Sequence, residues 1–367
     1  LVQLSLNKDL LVIGPEERAE RLLEKLSSRT LFSVVAGSTK TSTIPGISIA
    51  GPSPEATLYT PTLDVEYLLA GKPVTLDVVP VSPEGLPTPA LITRAVLEAI
   101  GGPVLVVNAG CAYEPRVPHV ALPSRRMGGR IDEEPALPRG TARKLYEEAR
   151  LLGSKIARRL DVLVVGETIP GGTTVAAAIV EALGYRGLGR VSSSSAKNPH
   201  DLRTRVVLRA LERIRGLSDV FEKIDEVGDP VHVSIAGLAR GAAEAGAMVG
   251  LAGGTQMAAV LAILARTSPG TLDSVGVLTT PWIVNDTTSD MAGLVRDIAP
   301  SVPVIATRFS FQGTRYSGLR AYDEGFVKEG VGAGGALVLG VAHGLGLGEL
   351  RRLIEEEYER VLGKGKA

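Results

Sequence analysis

The sequence predicts an α/β protein: a doubly wound, mostly parallel sheet with helices on both faces, plus a small helical annex from the two chain ends. Three observations predict it. Runs of four to six apolar, largely β-branched residues alternate with longer helical patterns along most of the 367 residues. These runs are continuously apolar rather than alternating, the mark of parallel strands covered on both faces. Glycine contributes 43 residues while aromatics make up 4%, so the core fills by close backbone approach between layers, with glycine at the turns.

In chain order, a helical pattern over Glu16–Ser28 comes first, and its charged stretch Glu17–Arg29 is amphipathic. No strand accompanies it. Leu31–Ala36 and Val74–Val79 read as strands, Thr88–Ile100 as a helix and Val104–Asn108 as a strand. The segment Glu114–Arg139 holds many Pro, Gly and Arg residues without periodicity. It reads as a long excursion from the sheet, a kind of loop that often carries function. Helix Thr141–Leu160, strand Asp161–Val165, helices Thr173–Leu183 and Leu202–Ile214, and strand Val231–Ala236 follow. Ala245–Ala265 carries no charge over 21 residues, close to the ~20 that a membrane span requires. Gly250, Gly253, Gly254, Thr255 and Gln256 in its middle would gain nothing from lipid, so it reads as a buried helix, a glycine turn and a second buried helix, Gln256–Ala265. Strand Ser274–Leu278, helix Asp286–Ile298 and strand Val302–Ala306 complete the alternation, and Leu350–Leu362 is a second charged amphipathic helix. The expected division is an α/β domain at 30–310 and a mainly helical annex from 1–29 and 311–367.

Composition excludes several classes. Forty basic residues balance forty acidic ones, so the chain lacks the basic excess that nucleic-acid binding needs. Cys111 is alone, and His119, His200, His232 and His343 are scattered without ligand spacing; neither a disulfide framework nor a Cys/His metal site is expected. The stretch Leu1–Lys8 has no basic region leading into a long apolar one, so no signal peptide is read and a cytoplasmic protein is expected. Arg outnumbers Lys, and Asn, Gln, Met and Cys are few, a composition that points to heat adaptation.

Three stretches carry chemistry. In Asp161–Thr174 a buried strand runs through Gly166 and Glu167 into a turn, Gly171-Gly172-Thr173-Thr174, that opens a helix. Free backbone N–H groups and the positive end of the helix dipole make such a place a phosphate site, with Thr173 and Thr174 capping the helix or donating to the phosphate. An ordinary strand-to-helix turn is the alternative. Glu167, at the carboxyl end of the strand, stands where open α/β sheets bind ligands and could accept from sugar hydroxyls. The second stretch, Gly253-Gly254-Thr255-Gln256, is another glycine turn leading into an apolar helix; close helix packing explains it equally well. The third places one carboxylate, Glu329, before an uncharged, glycine-rich run from Gly330 to Gly348. Burial there would raise its pKa and suit it to general-base work, whereas a salt bridge or a helix cap is the plain alternative.

At these three places together the sequence resembles the nicotinate-nucleotide:dimethylbenzimidazole phosphoribosyltransferases, and looks closest to an archaeal branch. Gly166, Glu167, Thr173 and Thr174 match that family's Gly-Glu turn, Gly253 and Gly254 its second turn, and Glu329-Gly330-Val331-Gly332-Ala333 its catalytic glutamate segment. Lys328 departs from the glycine the motif opens with, Ile169, Pro170 and Gly172 depart in the phosphate turn, and Thr255 and Gln256 replace an aromatic and an acid. The resemblance runs from about Asp161 to Val341, with Val34–Gly46 and Val104–Gly110 suggesting base-binding strands. It implies Glu329 as catalytic base and a substrate site of Glu167, Gly171, Gly172, Thr173, Thr174, Gly253, Gly254, Thr255, Gln256, Gly330 and Gly332. Arg205 falls where the family has a phosphate-binding lysine. The implied substrates are nicotinate mononucleotide and a heteroaromatic base, with no cofactor or metal, in a homodimer. A phosphoribosyl-pyrophosphate-dependent transferase and a non-catalytic nucleotide sensor are the alternative functions.

Overall fold

Eight strands form one sheet in the order β1-β8-β7-β6-β5-β2-β3-β4 in the computed structural model, which describes residues 8–82 and 85–362. The strands are β1 (Leu10–Ile13), β2 (Thr30–Gly37), β3 (Val104–Gly110), β4 (Val120–Ala121), β5 (Val162–Thr168), β6 (Met248–Ala252), β7 (Val275–Thr279) and β8 (Val304–Thr307). All neighbours run parallel except β1 and β8. The continuously apolar runs have the predicted cause. Every residue of β5 is buried, with Leu163 and Val165 feeding the core on one face and Val162 and Val164 the core on the other.

One face is covered by α4 (Thr141–Ile156), α5 (Gly172–Ala182), α6 (His200–Glu212), α7 (Val220–Val227), α8 (Pro230–Glu244), α9 (Met257–Thr267) and α11 (Met291–Ile298). The other carries α1 (Glu16–Leu26), α2 (Thr60–Ala70), α3 (Ala90–Ile100), α12 (Ser317–Asp323), α13 (Ala333–Ala342) and α14 (Leu347–Leu362). The short α10 (Pro281–Val284) sends Ile283 to the first core and Trp282 to the second. From β2 the chain steps to β3 in one direction, whereas from β5 it proceeds through β6 and β7 to β8 in the other. The order reverses between β2 and β5, and the carboxyl ends of strands at such a switch point are the usual ligand position of open α/β sheets.

Several expectations change. Val231–Ala236 is not a strand but the start of α8: Asp229 Oδ1 accepts from the backbone N–H of Val231 and His232 at 2.8 Å, and Pro230 occupies the first turn. An N-cap aspartate followed by proline overrides the β preference of the Val and Ile residues. Among the described residues Val74–Val79 pairs with no strand; Val74, Leu76, Val78 and Val79 are 36–53% exposed, and Val74 and Thr75 donate their N–H groups to the Glu66 carboxylate. The first half of the charge-free stretch is strand β6, not a helix, and only its second half is helical. A strand does accompany the N-terminal helix, since β1 joins the sheet edge beside β8. Both end helices, α1 and α14, lie on the same face as α13. Among the described residues no helix is long and apolar enough to cross a membrane. Residues 1–7, which bear on the signal-peptide reading, and the last five of the annex range lie outside those described.

Candidate active site

The segment 326–334 lies across the carboxyl ends of β5, β6 and β7, and only small residues let it do so. Val331 donates its N–H to the Glu167 carbonyl at 2.8 Å. A methyl group on Gly166 would stand 2.8 Å from the Gly332 Cα, so the two glycines are what allow the backbones to touch. Gly254 lies beside the same segment: a methyl group added to it would stand 3.5 Å from the Glu329 Cβ, an ordinary contact, and 2.9 Å from Ile283 Cδ1.

The Glu329 carboxylate accepts from the backbone N–H of Thr280 (3.1 Å), Gly330 (3.2 Å) and Gly334 (3.1 and 3.2 Å). Gly334 belongs to the first turn of α13, so an anion here meets the positive end of a helix. Burial dominates nevertheless and pushes the pKa up to about 8; the N–H donors of Gly334, Gly330 and Thr280 pull the other way, and the nearby Glu167 charge pushes it further up. The residue is nevertheless not fully enclosed, keeping a partly exposed edge.

The backbone around Glu329 is strained. Val327, Lys328 and Val331 have φ of 63°, 58° and 52°, a left-handed region that β-branched residues avoid. Each such residue costs about 1–3 kcal/mol and persists only where its surroundings over-determine it. Here Val327 N–H donates to the Ser194 carbonyl at 2.8 Å and Thr280 Oγ1 donates to the Lys328 carbonyl at 2.6 Å. Strain of this kind concentrates at functional sites.

Behind Glu329 lies a cluster of buried acids. Burial pushes Glu167 up to about 7, against the charge of His232 and the N–H of Ile169, which lower it. Asp64 accepts from Thr88 Oγ1 (2.6 Å) and Thr168 Oγ1 (2.8 Å), and burial still raises it to about 6. His232 is fully buried, bonded through Nδ1 to Asp229 and through Nε2 to Gln256 Oε1 at 2.9 Å. Burial alone would lower the imidazole pKa, but Asp229 and then Glu167 carry it above its ordinary value. Among the described residues no group of three or more His, Cys, Asp or Glu side chains is placed to hold a metal ion.

The raised carboxyl pKa values make stability depend on pH. For Glu329 the folded state binds a proton more tightly than the unfolded chain, whose pKa is near 4.5. Its contribution is therefore fully present below about 4.5 and is lost as pH rises through about 8. Thermal melts at pH 6 and pH 9 are expected to show a lower Tm at pH 9, and a smaller drop in Glu329→Gln.

The predicted phosphate turn is built differently from the expectation. Gly171, with φ of 77°, is the N-cap of α5, so neither Thr173 nor Thr174 caps the helix. A methyl group on Gly171 would stand 2.9 Å from the Ser42 backbone, and one on Gly172 would stand 2.2 Å from Gln256 Oε1. Thr173 is partly exposed, and Thr174 Oγ1 accepts from Arg203 Nε at 3.3 Å. Arg205, the expected phosphate partner, faces solvent; the buried arginine of α6 is Arg203, two residues earlier. Its guanidinium also donates to the carbonyls of Val191 (2.9 Å) and Ser192 (3.1 Å), and desolvation lowers its pKa to about 10. The helical stripe Arg203, Val206, Val207, Ala210, all buried, follows the i, i+3, i+4, i+7 spacing that identifies the inward face. That spacing could have selected Arg203 from the sequence. In the second turn Thr255 Oγ1 accepts from Ser192 N–H at 2.9 Å, while Gly253 packs against the Met257 side chain.

The structure thus brings Glu167, Gly254, Glu329, Gly330 and Gly332 together directly, joins the α5 turn to them through Gln256 and Arg203, and leaves Arg205 outside. A phosphoribosyltransferase family model matches residues 93–276. The chain is 61% identical over 348 residues to a UPF0284 protein of Aeropyrum pernix, covering 94% of this chain and 96% of that one. It is 50% identical over 331 residues to a UPF0284 protein of Pyrobaculum calidifontis, covering 90% and 96%. The chain belongs to the phosphoribosyltransferase family, in the branch formed by the archaeal UPF0284 proteins. Its fold is similar to that of nicotinate-nucleotide-dimethylbenzimidazole phosphoribosyltransferase from Thermus thermophilus, with a TM-score of 0.62 and 18% identity over 94% of this chain and 92% of that one.

Proposed function

We propose that the protein transfers the phosphoribosyl group of nicotinate mononucleotide to a benzimidazole- or purine-type base and releases nicotinate. The observation that carries this reading is Glu329: one carboxylate of raised pKa, on a strained segment at the carboxyl edge of the sheet, not fully enclosed. Such a group is a proton acceptor matched to near-neutral pH. In the mononucleotide the bond between the anomeric carbon and a pyridinium nitrogen breaks, and its electron pair neutralises the departing ring. That departure needs no acid and no metal. The incoming ring nitrogen forms the new bond from the opposite side, giving an α-ribotide suited to the lower ligand of a cobamide, and its proton passes to Glu329. Positive charge on the bound pyridinium lowers the Glu329 pKa, so the substrate itself favours the ionised base.

In this reading Glu167 accepts from ribose hydroxyls and the start of α5 holds the phosphate as a remote handle. Residues 30–310 carry both substrates and the C-terminal segment supplies the base. Gly172→Val would evict the Gln256 amide from beside the turn. We expect the mononucleotide KM to rise roughly tenfold or more, the equivalent of one charge-assisted hydrogen bond of about 1.5–3 kcal/mol; an unchanged KM would make the turn purely structural. The resemblance also suggests a cytoplasmic homodimer, which sedimentation would test for assembly.

The decisive assay mixes protein, nicotinate mononucleotide and a candidate base, with and without EDTA, and follows nicotinate. EDTA-resistant release supports the proposal. EDTA-sensitive use of phosphoribosyl pyrophosphate would replace it with the pyrophosphate-dependent reaction, and binding without turnover would replace it with a nucleotide sensor.

A further inference from the structure

The residue before Glu329 is a lysine with no access to solvent. Lys328 is 2% exposed, and its Nζ donates to Asp286 Oδ2 (3.0 Å), the Ser195 carbonyl (3.1 Å) and Ser192 Oγ (3.3 Å). A buried ammonium is expensive unless paired and fully hydrogen-bonded, and this one has three acceptors for three protons. The partners are equally engaged: Asp286 accepts also from Ser192 Oγ (2.7 Å), Asn198 Nδ2 (3.2 Å) and Thr288 Oγ1 (2.6 Å).

Ser192 is where these contacts converge. Its N–H donates to Thr255 in the second glycine turn, its carbonyl accepts from Arg203, which reaches Thr174 at the start of α5, and its hydroxyl sits between Asp286 and Lys328. A single buried serine therefore joins all three stretches that the sequence singled out. The backbone at Lys328 is left-handed, between Val327 in the same region and Glu329. Local contacts close the turn, with Lys328 N–H donating to the Phe326 carbonyl and Glu329 N–H to the Val327 carbonyl at 2.7 Å each, and Thr280 Oγ1 holds the Lys328 carbonyl. A side chain anchored at its far end to Asp286, Ser192 and Ser195 adds a restraint from a distant part of the chain.

We infer that Lys328 is a positioning residue: its buried tether to Asp286 and Ser192 holds the strained segment 327–331, and so the Glu329 carboxylate, in its working place. The kinetic part of this inference rests on the reading of Glu329 as the catalytic base. The tether itself does not.

The test compares the wild type with Lys328→Met, Asp286→Asn and the double variant. Lys328→Met retains the apolar stem but leaves the Asp286 charge buried without its cation, so it lowers Tm; the double variant removes both charges and recovers Tm to near the wild-type value. Positioning predicts that kcat does not recover with it. The double variant is expected to remain about 10- to 100-fold slower, because a small displacement of a reacting group is enough for such a loss, with the nicotinate mononucleotide KM within about threefold. Amide hydrogen exchange over 326–334 is expected to be at least about tenfold faster than in the wild type. If kcat and exchange both return with Tm, the pair is only structural and the inference is overturned. Failure of the double variant to fold overturns it too, since the pair would then serve the whole fold rather than one segment. Should the wild type release no nicotinate, the proposed reaction fails, while the exchange measurement still decides the tether.

Discussion

Glu329→Gln is expected to lower turnover of nicotinate mononucleotide by about 10²–10⁴-fold, with nucleotide affinity largely kept. The amide oxygen can still accept from Gly330 and Gly334, as Oε1 does in the wild type; the amide NH2 cannot accept from Thr280 N–H as Oε2 does, but the contacts of Val327 with Ser194 and of Lys328 with Thr280 still hold the segment. What disappears is the property that burial confers on this carboxylate, the capacity to take a proton near neutral pH. No neighbour can substitute. Glu167 is 3% exposed and its Oε2 already accepts from Ile169 N–H at 3.1 Å, which leaves its other oxygen for the ribose hydroxyls of the proposed reading rather than for the proton of the incoming base. Asp64 is held by two threonine hydroxyls. Steady-state kinetics in both substrates will check this, and an unchanged kcat would remove Glu329 from the reaction.

The largest expected loss of stability comes from Gly334→Ala. A methyl group there would stand 2.2–2.5 Å from Thr279 C, Thr279 Cα and Thr280 N, all backbone at the end of β7. Side chains can rotate away from an intruder, whereas a strand end in the centre of a sheet cannot. The first turn of α13 would have to lift, taking with it the Gly334 N–H that Glu329 accepts. Overpacking usually costs about 1–3 kcal/mol, and with backbone on the other side the expected loss is about 3 kcal/mol or more. Gly348→Ala is the control: nothing stands within 4 Å of the added methyl, and replacing glycine inside α14 should change stability by only about 0.5–1 kcal/mol, in the favourable direction. Denaturant midpoints will separate the two, and similar midpoints for both variants would contradict the packing argument.

Legibility in the sequence differs element by element. The strand at Asp161–Val165 and the helix after Gly172 are visible there because both are local: a continuously apolar run, then glycine at the turn. Strand β6 escapes such a reading because its five residues merge into the longer charge-free stretch Ala245–Ala265, and only pairing with β5 and β7 makes them a strand. Val74–Val79 misleads for the opposite reason, having the composition of a strand but, among the described residues, no strand to pair with. Position in a motif favours Arg205, although the helical stripe already points to Arg203. His232 lacks any ligand spacing, yet Asp229 and Pro230 ahead of it announce a helix start that buries it.

The layered α/β class, the three glycine-bearing stretches and Glu329 as the carboxylate of interest are all contained in the sequence, because hydrophobic period, glycine placement and an isolated charge are properties of neighbours along the chain. The convergence of those stretches through Ser192, Arg203 and Gln256 is not, and neither is the left-handed backbone of Val327, Lys328 and Val331 beside Glu329. Both arise only in the packed molecule. So does the joint burial of Glu167 and Glu329, which sets their raised pKa values. One cause underlies all three: a residue's conformational cost, its desolvation and its partners depend on atoms that lie far away along the chain. Lys328 and Ser192 are separated by 136 residues, and no local pattern in either segment records the other.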